Sequence, residues 1–222
     1  MSIDHIYYHG PGIAHRVSLM ARTRVYETFM DKMRPSATTT ILDIGASDYE
    51  VPEANLLEKL FPYPSNITCA TVGDPSHIAR LHPNVTVTPI EAGKALPFPD
   101  NRFDISYSNA VLEHVGGLVG RQSFLREAFR VAKSLFVVIP NRWFPVEHHT
   151  AVPLLHYAPP LFRALLSRSK AAHWADPAVL DFLGKRQLQN EWPTDLPRPD
   201  IFYGGLRGGP LSSNIVMICS KR

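Results

Sequence analysis

The stretch "TTTILDIGASDYE", residues 38–50, decides how the rest of the chain is read. Residues 40–44, "TILDI", are apolar and β-branched, as a short buried strand would be. That strand runs through Asp43 into Gly45-Ala46-Ser47, where Gly45 and Ala46 carry little Cβ bulk to hold a ligand away from the backbone. A dinucleotide fingerprint would place a second glycine where Ser47 stands. It would also avoid Asp48, whose charge repels a pyrophosphate at a helix N-terminus. Nicotinamide chemistry is therefore rejected. The turn reads as a damaged phosphate loop, an accident of composition, or a loop built for a ligand without phosphates.

Strand and helix signals alternate downstream of this turn. "EANLLEKLF" (53–61) reads as a helix with Ala54, Leu57 and Leu60 inward, and "ITCATV" (67–72) and "NVTVTPI" (84–90) read as strands. "RFDISYS" (102–108) is a fourth strand, "RQSFLREAFRVAK" (121–133) a helix, and "SLFVVIP" (134–140) the most buried-looking strand. Apolar strands separated by helices indicate an α/β protein with a parallel sheet covered on both faces. Upstream, residues 16–33 place Leu19, Tyr26, Met30 and Met33 on one helical stripe.

After Pro140 the texture changes to short helical pieces among prolines, tryptophans and histidines. "PDIFYGG" and "SSNIVMICSK" then close the chain as two strands joined by glycines. The expected fold is a Rossmann-like doubly wound sheet, mostly parallel, with a C-terminal antiparallel hairpin strand. The expected organisation is one domain over 1–222. It comprises an N-terminal helical segment (1–37), a ligand-binding core (38–140), a lid or substrate insertion (141–200) and terminal strands (201–222).

Composition narrows the function classes. The chain has 222 residues, 45% hydrophobic and 19% charged, and a net charge of +3, too small to argue for nucleic acid. Residues 1–150 hold 14 Lys/Arg against 15 Asp/Glu, whereas residues 151–222 hold 9 against 5, so the basic excess lies in the last third. The amphipathic basic segment 159–174 sets Leu161, Leu165 and Leu166 against Arg163, Arg168 and Lys170. It reads as a lid helix with a solvated face, and also admits contact with a membrane surface or a lipid-linked substrate. No apolar run reaches the ~18 residues of a membrane span, and the first residues lack a secretory pattern. The expectation is a cytoplasmic protein. Cys69 and Cys219 share no metal or redox spacing and read as buried thiols.

Ligands of such sheets bind beyond the carboxyl ends of the strands. Asp74, after the second strand, can accept bonds from two ribose hydroxyls, or can serve as the turn residue of "GDPS". Four segments carry a resemblance in order and spacing: "ILDIGAS", "VGDPSHIARL", "EAGKALPFPDNRFDISYSNAVLEHV" and "FLREAFRVAKSLFVVIPN". Over residues 38–141 the chain resembles class I S-adenosylmethionine-dependent methyltransferases, in particular the type 11-like domains with "LPFPDNSFD" followed by "LEHV".

The resemblance implies S-adenosylmethionine as cofactor and a small-molecule acceptor, including sugars and anionic or lipid-linked molecules. It implies that Asp43, Gly45, Ala46 and Ser47 shape the loop around the methionine part, whose ammonium Asp48 would meet in a ligand without pyrophosphate. Asp74 would hold the ribose, with Pro75 and Ser76 beside the adenine. The acidic position before the adenine-binding Leu96 falls on Ala92, with Glu91 one residue further back. Ser108 and Asn109 would face the methionyl group. Two departures stand out: Ser47 and Tyr49 occupy usual glycine positions, and no "KPGG" turn follows Lys133. Ser47 and Tyr49, with Ala92, favour an alternative, a catalytically silent relative acting as a binding or partner subunit.

Methyl transfer is an in-line displacement that needs a general base only for an acceptor that must lose a proton. Histidine is the best base near neutral pH. His114 in "LEHV" and His148 and His149 in "NRWFPVEHHT" are the catalytic candidates, although His114 also reads as a pocket-shaping residue and His148 or His149 as bonding a loop carbonyl. No metal site is expected, because adjacent histidines do not turn both rings to one ion as an i, i+4 pair does.

Overall fold

The computed structural model describes residues 12–48 and 51–221. Tyr49 and the first eleven residues lie outside them. Helix α1 (Gly12–Met33) leads to strand β1 (Ile41–Ile44), helix α2 (Leu56–Leu60), β2 (Ile67–Thr71), α3 (Pro75–Leu81) and β3 (Thr86–Pro89). Then follow β4 (Phe103–Asn109), α4 (Gly117–Arg130), β5 (Ala132–Pro140), α5 (Pro159–Leu166), α6 (Lys185–Glu191), β6 (Asp200–Gly204) and β7 (Asn214–Ser220).

The strands form one seven-stranded sheet in the order β3-β2-β1-β4-β5-β7-β6. β7 runs antiparallel to both neighbours and the remaining pairs are parallel. Because β5 is fully buried over Leu135–Ile139, it tolerates an apolar residue at every position. The winding reverses between β1 and β4, which opens a crevice beyond their carboxyl ends.

Alternation along the strands divides the core. Leu42, Ile44, Leu135 and Val137 face one cluster with Leu125 and Phe129 of α4, while Ile41, Cys69, Tyr107 and Phe136 face another under α1. On α1 the buried stripe is Ala21, Val25 and Phe29, one residue away from the predicted Leu19–Met33 stripe. Phe29 decides this: its ring meets Tyr107 and Phe136 edge-on, each at 5.2 Å, and Tyr26, Met30 and Met33 flank it half-buried.

Helix α2 is shorter than its apolar pattern. Asn55 stands at φ 50°, ψ 46°, and its side chain accepts from Ser47 N at 2.9 Å and donates to Ser47 O at 2.8 Å. That pairing fixes the turn after β1 but starts the helix only at Leu56. The predicted 159–174 helix also breaks, at Leu166. Phe162 and Leu166 pack with Leu180 and Phe182 in a small core of the insertion, while Leu161 and Leu165 stand exposed.

Arg121, buried on α4, anchors the insertion to the sheet. Its guanidinium reaches Asp181 at 2.7 Å and Glu191 at 2.6 Å. Cys69 and Cys219 are both buried and unpaired. No described helix is long and apolar enough to cross a membrane.

Candidate active site

At the tip of β1, Gly45 takes φ +95°, and a Cβ there would lie 2.4 Å from Val111 Cγ2. Only glycine lets this turn pass the β4 loop. Ala46 is buried, and Ser47 is held by Asn55. Asp48 reaches across to the tip of β2, where one carboxylate oxygen accepts from Asp74 N at 3.0 Å; a Cβ on Gly73 would meet that oxygen at 2.5 Å. The carboxylate expected to meet an ammonium thus ties two strand tips together.

Asp74 is the N-cap of α3, with Pro75 in the first turn. Its Oδ1 accepts from Ser76 N at 2.8 Å and Ser76 Oγ at 2.7 Å, and the carboxyl is exposed. The Ser76 bonds hold its pKa below the ordinary carboxylate value, so it stays charged. Glu91 and Ala92 are exposed after β3. Leu96 is buried, its backbone N–H donating to Glu127 at 2.9 Å.

Ser108 is fully buried and donates to Ile44 O at 3.0 Å, which joins β4 to β1 beneath the crevice; Asn109 is half-buried beside it. Ala110 follows at φ 60°, a conformation that costs ~1–2 kcal/mol for an L-residue. Asp43 points into the core below α2 with Glu58 and Cys69, whose thiol donates to Glu58 at 3.3 Å. Burial, then the Glu58 charge, push the Asp43 carboxyl well above its usual range. Its role is internal to the fold, under the loop.

Beyond β4 and β5, a cleft is lined by Glu113, Asn141, Arg142, Glu147, His149 and His156, among others. The sequence separates His114 and His149 by 35 residues; the fold sets their Nε2 atoms 3.1 Å apart. His149 Nδ1 lies 2.8 Å from Glu147 Oε1, and His114 Nδ1 lies 2.6 Å from Val179 O. The second Glu147 oxygen accepts from Thr150 N and Oγ1, each at 2.7 Å. Burial works against the Glu147 charge, but His149 and these bonds hold its pKa down to about 2. Burial lowers His114; burial also works against His149, but the Glu147 charge and hydrogen bond together with the Glu113 charge overcome it and raise its pKa.

Trp174 covers the pair, its ring 4.7 Å from His149 and 5.8 Å from His114. Glu113 lies below them, its side chain 2% exposed, and neither oxygen has a hydrogen-bond partner. His148 is exposed beside Phe144 and borders the same cleft. Sequence reasoning missed Glu113, Glu147 and Asn55. Glu113 and Glu147 adjoin histidines already singled out, which was the available signal.

Residues 57–136 match the family model described as a methyltransferase domain. No curated protein matches by sequence. Among solved structures, a protein of Thermotoga maritima described as a "SAM-dependent methyltransferase, possible histamine N-methyltransferase" is 17% identical with a TM-score of 0.59, over 95% of this chain and 92% of its own. A SAM-dependent methyltransferase of Aquifex aeolicus is 15% identical at a TM-score of 0.54, over 92% and 91%. PigF, solved with SAH, is 14% identical at 0.55, over 95% of this chain and 59% of its own. Such low identities speak for the fold alone. The sheet order and these likenesses give the chain the fold of class I S-adenosylmethionine-dependent methyltransferases, and residues 57–136 are similar to a methyltransferase domain.

Proposed function

We propose that the chain binds S-adenosylmethionine across the tips of β2, β1 and β4 and transfers its methyl group to a small molecule whose reacting group meets the narrow cleft, about 20 Å³, beyond β4 and β5. The observation that carries this reading is the pairing of Gly45 with Asp74. Gly45, at φ +95°, turns the chain at the tip of β1 where any Cβ would strike Val111, so the backbone of the turn carries no side chain there. Asp74 offers a charged, exposed carboxylate at the adjacent strand tip, suited to two ribose hydroxyls.

Pro75, Ser76, Glu91, Ala92 and Leu96 border the adenine side in this reading. Ala46, Ser47 and Asn109 border the methionine side, with Asp43 and Ser108 fixing the strands beneath. The cofactor supplies a methyl group activated on a sulfonium. Its transfer would be an in-line displacement, for which the residues of the chain would hold the acceptor atom in place. The chain supplies alignment and exclusion of water, worth most of the rate in such a displacement.

The acceptor's reacting group faces the Glu113–His114–His149 cluster, where its proton is handled. Arg142, whose Nε is buried without a partner, borders the same cleft and suits an anionic acceptor, free, sugar-borne or lipid-linked. The exposed Leu161 and Leu165 leave room for peripheral contact with a lipid surface. A radiolabelled methyl-transfer screen of small anionic, sugar and lipid extracts tests the reading. Incorporation above that of a Gly45→Ala control supports it. Tight cofactor binding with no incorporation into any extract would favour the catalytically silent alternative.

A further inference from the structure

We infer that His114 Nε2, His149 Nε2 and a Glu113 carboxylate oxygen form a site for one divalent transition-metal ion, Zn²⁺ before others, at the edge of the acceptor cleft. The argument starts from the protons. A backbone carbonyl and a carboxylate only accept, so His114 Nδ1–H donates to Val179 O and His149 Nδ1–H donates to Glu147. Both Nε2 lone pairs then face one another across 3.1 Å. Two neutral rings would set lone pair against lone pair, so a positive charge belongs between them.

A single shared proton would satisfy the two nitrogens and nothing else. Glu113 Oε1 lies 3.7 Å from His114 Nε2 and 3.9 Å from His149 Nε2, beyond hydrogen-bond reach of either, and both its oxygens are buried without a partner. Such a carboxylate costs ~1–3 kcal/mol or more unless something cationic meets it. One metal ion meets all three groups.

The geometry accommodates it. Metal–nitrogen bonds of about 2.0–2.1 Å to atoms 3.1 Å apart subtend about 100°. The carboxylate has only to close by roughly 0.5 Å to reach tetrahedral spacing. Each histidine already has the outer partner that ligating imidazoles usually carry: a carboxylate for His149, a carbonyl for His114. Trp174 supplies an apolar cover, and Glu113 and His149 both border the open cleft, which gives an access route. Two imidazoles and one carboxylate select a borderline ion over Mg²⁺ or Ca²⁺, which prefer all-oxygen shells. Three protein ligands leave a fourth position open. If the methyl-transfer reading holds, an acceptor hydroxyl bound there would lose its proton to solvent at lower pH.

Metal binding alone tests the assignment, without cofactor or substrate. The chelator-treated chain is titrated with Co²⁺ and followed by visible absorption, then challenged with Zn²⁺. One equivalent should bind with the intense bands of a four-coordinate ion and be displaced by Zn²⁺, and Zn²⁺ should raise the melting temperature. Glu113→Gln should weaken binding at least tenfold and His149→Gln should abolish it, while His148→Gln leaves it unchanged. Cooperative melting of each variant shows that it is folded, and either variant alone suffices. No Co²⁺ uptake, or equal uptake by wild type and both variants, overturns the site. Loss of methyl transfer with metal binding intact would instead count against the proposed function.

Discussion

His149 Nδ1 stands 2.8 Å from Glu147 Oε1, and the other Glu147 oxygen is held by Thr150 N and Oγ1 at 2.7 Å. This carboxylate therefore fixes both the tautomer and the tilt of the ring. Glu147→Gln should lower metal affinity about 10–100-fold, the usual effect of removing an outer carboxylate. Competition with a coloured chelator measures this; an unchanged affinity would show that Glu147 only braces the loop.

Gly45 leaves no room for a side chain. Gly45→Ala places a methyl 2.4 Å from Val111 Cγ2 at φ +95° and should cost about 1–3 kcal/mol, with loss of cofactor binding. Val111→Ala in the same chain removes the clash but not the backbone strain, so it should recover only part of the stability. Full recovery in urea melts would place the constraint in packing alone.

Arg121 holds two acidic residues of the insertion from a buried position on α4. Arg121→Met should destabilise the protein by about 2–3 kcal/mol, below the full cost of breaking a buried pair because Asp181 and Glu191 are partly solvated. Limited proteolysis should then cut within residues 141–200 first. Uniform cleavage along the chain would show that Arg121 does not latch this segment.

Asp43 sets a pH dependence whose sign follows from its raised pKa. Above pH ~4 the unfolded chain releases this proton and the folded chain keeps it, so folding binds a proton and stability falls as pH rises. The penalty grows until the folded-state pKa is passed. Asp43→Asn keeps the shape without the charge, so it should stabilise the fold more at pH 8 than at pH 5. Equal effects at both would place the pair's proton elsewhere.

The sheet was legible because β1, β2, β4 and β5 are apolar runs bounded by turn residues, and "LPFPDNRFD" marks the start of β4. The α1 stripe was misread by one residue because Tyr26, Met30 and Met33 mimic a core face; only the aromatic contacts of Phe29 choose the true one. The α5 segment follows apolar periodicity on paper, yet Phe162 and Leu166 turn inward to Leu180 and Phe182, partners that no local pattern names.

The positions of Gly45 and Asp74 at the tips of β1 and β2 were legible from the strand signals before them. The histidine pair was not. The sequence sets His148 beside His149, whereas the neighbour of His149 in the fold is His114, delivered by the loop after β4. The buried state of Glu113 is equally tertiary: it depends on the 179–183 segment, where Asp181 N–H donates to Glu113 O at 3.0 Å.

Cofactor binding is the claim on which the functional account rests. Isothermal titration of the purified chain with S-adenosylmethionine should show one site of micromolar affinity. Asp74→Ala should weaken it about 10–100-fold, as expected for lost bonds to a charged acceptor. No binding by wild type at high micromolar concentration would contradict the account, and an unchanged affinity in Asp74→Ala would remove Asp74 from the ribose site.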